Sequence, residues 1–313
     1  MDLRASYRAV KRSIVAFCPK YIAGKDSGGP PLFPPIIGTG FIVAESGIVC
    51  TNDHVVRAFK KAFRPPGLPD ADWGVYALML YVTEAGQLEI PLEVIGVGVV
   101  GEFKAGPVYY GPPKPDVAFV HVKARGLPAL AISDEDHVVE GTELATAGYP
   151  MGTDALTAPG YVHQITPTLQ RGIVSAVLPF ECPKPHAFTI NVMTQGGASG
   201  SPVFEPDTGR VAGVLYAGLN DIGVTQAKDL YRVPTNISYV VPAHLLRIGF
   251  ADFAKNAPPH EPDIQSIDEM VAKAQLVNIL EKGRRWEVRE IKMDRQVTDA
   301  VRLTEVKRTD DAG

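Results

Sequence analysis

Short runs of β-branched and aromatic residues, each closed within a few positions by glycine or proline, recur along most of this chain and leave little room for helix. Gly38-Thr39-Gly40-Phe41-Ile42-Val43 reads as a strand, Glu45-Ser46-Gly47 as a turn, and Ile48-Val49-Cys50-Thr51 as a second strand. Pro30-Pro31, Pro65-Pro66-Gly67, Gly111-Pro112-Pro113 and Pro258-Pro259 punctuate the rest. Proline lacks a ladder donor and glycine tolerates the backbone angles of tight turns, so such clusters bound strands. Thirty glycines and twenty-seven prolines in 313 residues fit many short strands joined by turns. Helical periodicity is nearly absent before the C-terminal end. The expected fold class is all-β.

Composition narrows the function. With 45% hydrophobic residues the chain can bury one or two sizeable cores, and a net charge of −4 gives no footprint for nucleic acid. No run is long and apolar enough for a membrane span, and the start Met1-Asp2-Leu3-Arg4-Ala5-Ser6-Tyr7-Arg8 has no secretion-signal stretch. Cysteines 18, 50 and 182 are odd in number and lack Cys-x-x-Cys spacing, which suggests neither a disulfide framework nor a zinc site. Three free thiols fit a reducing compartment, so a cytoplasmic location is expected, with no metal and no cofactor.

The most chemically informative segment is Thr194-Gln195-Gly196-Gly197-Ala198-Ser199-Gly200-Ser201-Pro202-Val203-Phe204. A serine flanked by glycines on a tight turn has its hydroxyl lifted clear of side chains, while nearby backbone N–H groups can converge on one point. No Gly-Lys-Ser or Gly-Lys-Thr follows, which argues against a phosphate loop. Position 201 is serine, so the Gly-x-Ser-x-Gly pattern also fails. After Ser199 comes a strand, a turn, and the strand Val211-Ala212-Gly213-Val214-Leu215-Tyr216-Ala217, a nucleophile between strands rather than before a helix.

A serine hydroxyl is nearly unreactive at its free pKa and needs a base, and the base needs an orienter. Of seven histidines, His54 stands just past the first hairpin, on a loop held by rigid elements. Asp116, in Pro115-Asp116-Val117-Ala118-Phe119-Val120, is the acid placed at the mouth of an apolar strand; Asp53, Asp134 and Asp136 are the other acids available. Cys50 lies inside a strand and reads as a small buried hydrophobe rather than a nucleophile.

The order His54, Asp116, Ser199 resembles the chymotrypsin-like serine peptidases. Gly-Thr-Gly-Phe-Ile-Val with Thr-Asn-Asp-His-Val-Val resembles the HtrA/Deg branch, and Gly-Gly-Ala-Ser-Gly-Ser-Pro-Val-Phe the glutamyl endopeptidase branch, over roughly residues 13 to 250. The resemblance implies two six-stranded antiparallel β-barrels, about 13–130 and 140–250, within a peptidase domain spanning 1–255, the site lying between them. It implies a serine endopeptidase acting on protein or peptide substrates, with His54 as general base, Asp116 holding the imidazole, and the N–H groups of Gly197 and Ser199 forming an oxyanion hole. A catalytically silent relative that binds peptides in the same cleft is the alternative.

Departures from the family pattern carry information. Trypsin and chymotrypsin have an aspartate before the nucleophile that pairs with a newly cut N-terminus; here that residue is Ala198, so activation by that ion pair is not expected. Met193 stands where trypsin carries its acid, which disfavours a basic P1 residue. Thr194 matches a threonine of the glutamyl enzymes, but their histidine aligns with Leu215. Met193, Thr194, Leu215, Tyr216 and Ala217 are therefore expected to line a pocket for an apolar or small P1 side chain. His163, in Tyr161-Val162-His163-Gln164, is a further candidate to approach the cleft.

Beyond residue 250 the resemblance stops. Residues 241–246 read as a closing helix, 256–265 as a linker, and 266–313 as a C-terminal extension too short for a PDZ domain with the tail. Ser266-Ile267-Asp268-Glu269 is a capping box opening an amphipathic helix with Ile267, Met270, Val271, Ala274 and Val277 on one face and Gly283 as its stop. That helix either packs on the catalytic domain or docks a regulatory protein partner. Residues 284–313 are expected to form a strand pair around Trp286-Val288 and Val301-Leu303 or to be partly disordered.

Overall fold

The computed structural model describes residues 2–19, 36–59, 74–83, 86–101, 114–150, 166–224, 230–257, 264–274, 284–294 and 300–310. Six strands close the first barrel: β1 (Ile14–Pro19), β2 (Gly38–Ala44), β3 (Ile48–Thr51), β4 (Val75–Thr83), β5 (Gly86–Val99) and β6 (Ala118–Val122), in the order β1-β2-β3-β6-β5-β4. The second has β7 (Glu143–Gly148), β8 (Thr168–Leu178), β9 (Ala187–Ile190), β10 (Pro202–Phe204), β11 (Val211–Val224) and β12 (Leu230–Pro242), in the order β10-β11-β12-β9-β8-β7. Among the described residues the strands of each barrel pair antiparallel. Closure leaves neither barrel with an unpaired edge strand, and the all-β expectation of two six-stranded barrels agrees with this architecture.

Strands β1, β2, β3 and β6 are buried along nearly their whole length, which explains why they read as continuous apolar runs rather than alternating ones. One face fills the first barrel and the other is covered. Phe41, Cys50 and Phe119 share a buried cluster with Ala145, Phe204 and Val214 of the second barrel, so the two barrels are joined by a common apolar core.

Among the described residues four helices interrupt the β pattern, and the first was not legible. Helix α1 (Leu3–Ser13) is capped by Asp2, whose carboxylate accepts from Ala5 N at 2.9 Å. Its buried face is Ser6, Val10 and Ser13, too polar to register as an apolar stripe. Ser6 finds its partner across the sequence, donating to the Pro206 carbonyl at 2.5 Å. Helix α2 (Asp53–Phe59) follows β3 directly. Helix α3 (Ala243–Asn256) leaves the second barrel and returns to the first, where Phe250 and Phe253 pack on Phe119 with ring centroids 6.0 and 5.7 Å apart.

Helix α4 (Ile267–Lys273) has the capping box read from sequence, Ser266 and Glu269 each accepting from the other's backbone N–H. It is shorter than its apolar periodicity suggested, because Ala274 is already extended; Val277 and Gly283 lie outside the described residues. Ile264 and Ile267 are buried, and Arg125 binds the segment three times, donating Nε to Ile264 O and N to Gln265 O and accepting from Ile267 N. Here the extension packs on the first barrel. Val82–Glu89 and Gln275–Gly313 form a separate compact unit, in which β13 (Arg284–Asp294) and β14 (Ala300–Asp310) pair antiparallel, Trp286 opposite Arg308 and Ile291 opposite Leu303.

Candidate active site

His54 lies in the first turn of α2, one residue further into regular structure than the loop expected from sequence. The start of a helix leaves backbone N–H groups without intrahelical acceptors, and Asp116 uses one of them. Its Oδ1 accepts from His54 N at 3.0 Å, and its Oδ2 lies 2.5 Å from His54 Nδ1. One carboxylate thus holds both the backbone and the ring of the same residue, fixing the imidazole so that Nε2 faces away from Asp116. The pair is half open to solvent, with 47% of the His54 side chain and 27% of the Asp116 side chain exposed.

The other acids near the motif are engaged elsewhere. Asp53 binds Arg57 at 2.7 Å and Lys114 at 2.9 Å. Burial pushes its pKa up, but the hydrogen bonds and charges of Lys114 and Arg57 outweigh that and hold the carboxyl below its usual range. Asp134 pairs with Arg210 and Asp136 with Arg247.

Ser199 follows a tight turn whose shape is set by glycine. Ala198 N donates to Gln195 O at 3.1 Å and Gly197 has φ +92°, the positive angle a type II turn needs at its third position. Gly200 N donates to Leu215 O and Ser201 N to Ala198 O, whereas among the described residues no acceptor meets the N–H of Gly197 or of Ser199. The Gly197 carbonyl is turned inward to accept from Thr39 Oγ1 at 2.7 Å, and the same Thr39 oxygen accepts from Tyr149 N.

This turn belongs to the second barrel but is fastened to the first. Thr39 N donates to Ser199 O at 2.9 Å, and Thr51 Oγ1 donates to Thr39 O at 2.7 Å. Gly200 has φ +88°, and a Cβ there would lie 1.9 Å from Thr39 O and 2.4 Å from Thr51 Oγ1. Only glycine permits this approach. Thr51 ends β3 and His54 stands three residues later, so the serine turn is pinned to the strands that carry the histidine. Among the described residues no hydrogen bond joins Ser199 Oγ to His54, the loose arrangement common in apo sites.

A cavity of about 320 Å³ opens beside Ser199. Thr194, Leu215 and Ala217 are among its lining residues, and Met193 and Tyr216 are not. Val192 and Thr194 face inward while Met193 points out and is 42% exposed. Tyr216 lies opposite Leu215 and Ala217, where the β11 ladder slips register, and packs on Tyr239 with centroids 6.0 Å apart. Gln195, Gly196, Gly218, Asn220 and Pro234 complete the lining, and none of the lining residues is charged. Thr194 shares a 2.9 Å hydrogen bond with Ser238, which donates to Val192 O. Asn220 and Pro234 were not identified from sequence, because only the pairing of β11 with β12 brings them together.

Cys50 is fully buried and burial pushes its thiol pKa far up, against any nucleophilic role. His121 is buried on β6, and His163 lies outside the described residues. Among the described residues no cluster of His, Cys, Asp and Glu could hold a metal ion, and no helix is long and apolar enough to cross a membrane.

Comparison with known proteins bears on these features together. The family model described as "Trypsin-like peptidase domain" matches residues 38–214. Among curated proteins, a "Probable periplasmic serine endoprotease DegP-like" of Halomonas elongata is 27% identical over 178 residues, covering 57% of this chain and 28% of that protein. A protein of the same name from Pseudomonas fulva is 30% identical over 181 residues, again covering 57% of this chain and 28% of that protein. The match therefore spans little more than a quarter of these relatives' length. Among solved structures, an HtrA-type protease AlgW with decapeptide aligns at a TM-score of 0.49 and 14% identity, covering 82% of this chain and 68% of that one. Deg5 aligns at 0.46 and 16%, covering 78% and 90%.

The cytoplasmic expectation is overturned by these relatives, which are named as probable periplasmic endoproteases. Free cysteine was a poor guide to compartment because Cys18 and Cys50 are buried and cannot reach a partner thiol, whatever the redox poise outside. With its barrels, its His54–Asp116 pair and its glycine-shaped serine turn, this chain belongs to the trypsin-like peptidase family.

Proposed function

We propose that this chain is a serine endopeptidase of the HtrA/DegP type, cleaving protein or peptide substrates through an acyl-enzyme on Ser199. The observation that carries the reading is the double grip of Asp116 on His54, 3.0 Å to the backbone N and 2.5 Å to Nδ1. With Nδ1–H donated to the carboxylate, Nε2 is the basic nitrogen. It takes the Ser199 proton as the hydroxyl attacks the substrate carbonyl, then returns it to the leaving amine. Asp116 stabilises the imidazolium that forms between these steps.

The N–H groups of Gly197 and Ser199 would receive the oxyanion. Their neighbours Ala198 N and Gly200 N are already committed to Gln195 O and Leu215 O, so the turn alternates used and available donors. Removing one oxyanion donor slows such chemistry by about 10²–10³. Family members with an acid before the nucleophile shape this turn by an ion pair. With Ala198 there instead, the Thr39 hydroxyl bound to Gly197 O supports the same conformation without a charge.

The uncharged cavity beside Ser199 favours an uncharged P1 residue of modest size, with Leu215 and Pro234 supplying apolar contact and Thr194 and Asn220 polar groups. A fluorophosphonate probe tests the reading. Covalent labelling of the wild type that is absent in Ser199→Ala is expected, whereas a wild type that never labels marks a silent peptide-binding relative. Cleavage of a peptide library after Arg or Lys would overturn the pocket assignment.

A further inference from the structure

The residue before the proposed general base is a carboxylate that the reaction does not use. Asp53 is nearly buried, with 8% of its side chain exposed, while its neighbour His54 is half open. A carboxylate taken out of water needs a counter-charge, and Arg57, one turn along the same helix, supplies one at 2.7 Å. Neutralisation is therefore already met within α2. Yet a second cation, Lys114, reaches the same Oδ2 from a different part of the chain at 2.9 Å.

Lys114 stands two residues before Asp116. The segments 52–54 and 114–116 interlock residue by residue: Asn52 Nδ2 donates to the Asp116 carbonyl at 2.8 Å, Asp53 binds Lys114, and His54 binds the Asp116 carboxylate. Asn52 is fully buried and Asp116 itself is only partly so. The loop is thus tethered from inside on both sides of the carboxylate that must meet Nδ1. We infer that Asp53 is a positioning residue: through Lys114 it fixes the loop carrying Asp116 and keeps that carboxylate seated on His54. The inference rests on the reading of His54 and Asp116 as base and orienter.

The geometry offers a clean separation of tether from charge. Lys114→Met cuts the tether but leaves Asp53 paired with Arg57, so no buried carboxylate is orphaned. Arg57→Met removes the same unit of charge beside Asp53 and leaves the tether. Two readouts are taken on the full chain. In the first, the maximal rate of fluorophosphonate inactivation and the probe concentration for half-maximal rate are measured for each variant. Lys114→Met is expected to lower the rate about tenfold with the half-maximal concentration within twofold, the pattern of misplaced catalytic groups rather than weakened binding. Arg57→Met stays within twofold of wild type, and Lys114→Arg restores the rate.

In the second, the downfield proton resonance of the His54 Nδ1–H bond to Asp116 is followed in a Ser199→Ala background, where no turnover is needed. It is expected in the parent and in Arg57→Met and to be lost to faster exchange in Lys114→Met. Should the wild type fail to label while this resonance responds as expected, the tether stands and the peptidase reading falls. Equal inactivation rates and unchanged resonances in Lys114→Met and the parent, or an equal loss in Arg57→Met, would overturn the tether.

Discussion

The two barrels build their halves of the site by different means. The first holds His54 through charged and polar side chains: Asp116 on its ring and backbone, Asp53 and Lys114 beneath, Asn52 on the Asp116 carbonyl. The second holds Ser199 almost wholly through backbone, with positive φ at Gly197 and Gly200 and N–H donors spent or left available by the turn. Side-chain chemistry can be altered while the fold stays intact. Backbone geometry cannot, because the Gly200 position leaves no room for a single methyl group. Changes to the backbone of the serine turn should therefore lose structure and activity together, whereas changes confined to the side chains of the site should lose activity alone.

The largest expected effect is Ser199→Ala, which should reduce turnover by about 10⁶-fold and abolish probe labelling with little change in melting temperature. Asp116→Asn comes next. It keeps the shape of the carboxylate but favours the wrong imidazole tautomer, so a loss of about 10⁴ in turnover with an almost unchanged melting curve is expected. A melting temperature that fell as steeply as the activity would break the contrast from the side of the first barrel.

Gly200→Ala tests the other side. Its Cβ would sit 1.9 Å from a backbone oxygen, at a φ of +88° that alanine rarely adopts. A destabilisation of roughly 3 kcal/mol or more, read by denaturant titration, should accompany lost labelling. If Gly200→Ala labelled normally with wild-type stability, the view of the serine turn as a backbone device would fail.

The smallest effect lies outside the site, on α3. His244 is 5% exposed, and burial pushes its pKa down to about 4, with Asp136 opposing and Arg247 and Lys184 adding to the shift. An unfolded histidine takes up its proton near 6.5. Between that pH and about 4 the unfolded chain binds more protons than the folded one, so stability falls as pH drops through this window. The loss is bounded by roughly 3 kcal/mol. His244→Gln should flatten the dependence of the melting temperature on pH across it. An identical slope in the variant would remove His244 as its cause.

Much of this site was legible because its chemistry sits in contiguous motifs. A serine turn with glycines at 196, 197 and 200, a histidine after a hairpin and an aspartate at a strand mouth each announce a local conformation. The pocket was less legible. Met193 and Thr194 lie in the irregular segment after β9, where no strand or helix period tells which side chain is buried; Thr194 is buried and Met193 is 42% exposed. Tyr216 was lost to a register slip in β11, which no local pattern announces. Helix α1 escaped because its buried face is two serines and a valine, satisfied by a carbonyl two hundred positions away in the chain. The capping box of α4 was read correctly, but the length of that helix was not, since the backbone is already extended at Ala274, a residue of the expected apolar stripe.

What the sequence alone determined, then, was the inventory: an all-β chain, a serine on a glycine turn, and a histidine and an aspartate at strand ends. These follow from rules of local range, the φ tolerance of glycine, the missing donor of proline and the period of a strand. Only the tertiary structure decided the partnerships. Which acid meets His54, why Asp53 turns to Lys114, and how Thr39 and Thr51 of one barrel receive the serine turn of the other depend on closing two sheets and pressing them together. Side-chain pairing is set by distance in space, and barrel closure brings together residues that sequence separation keeps apart.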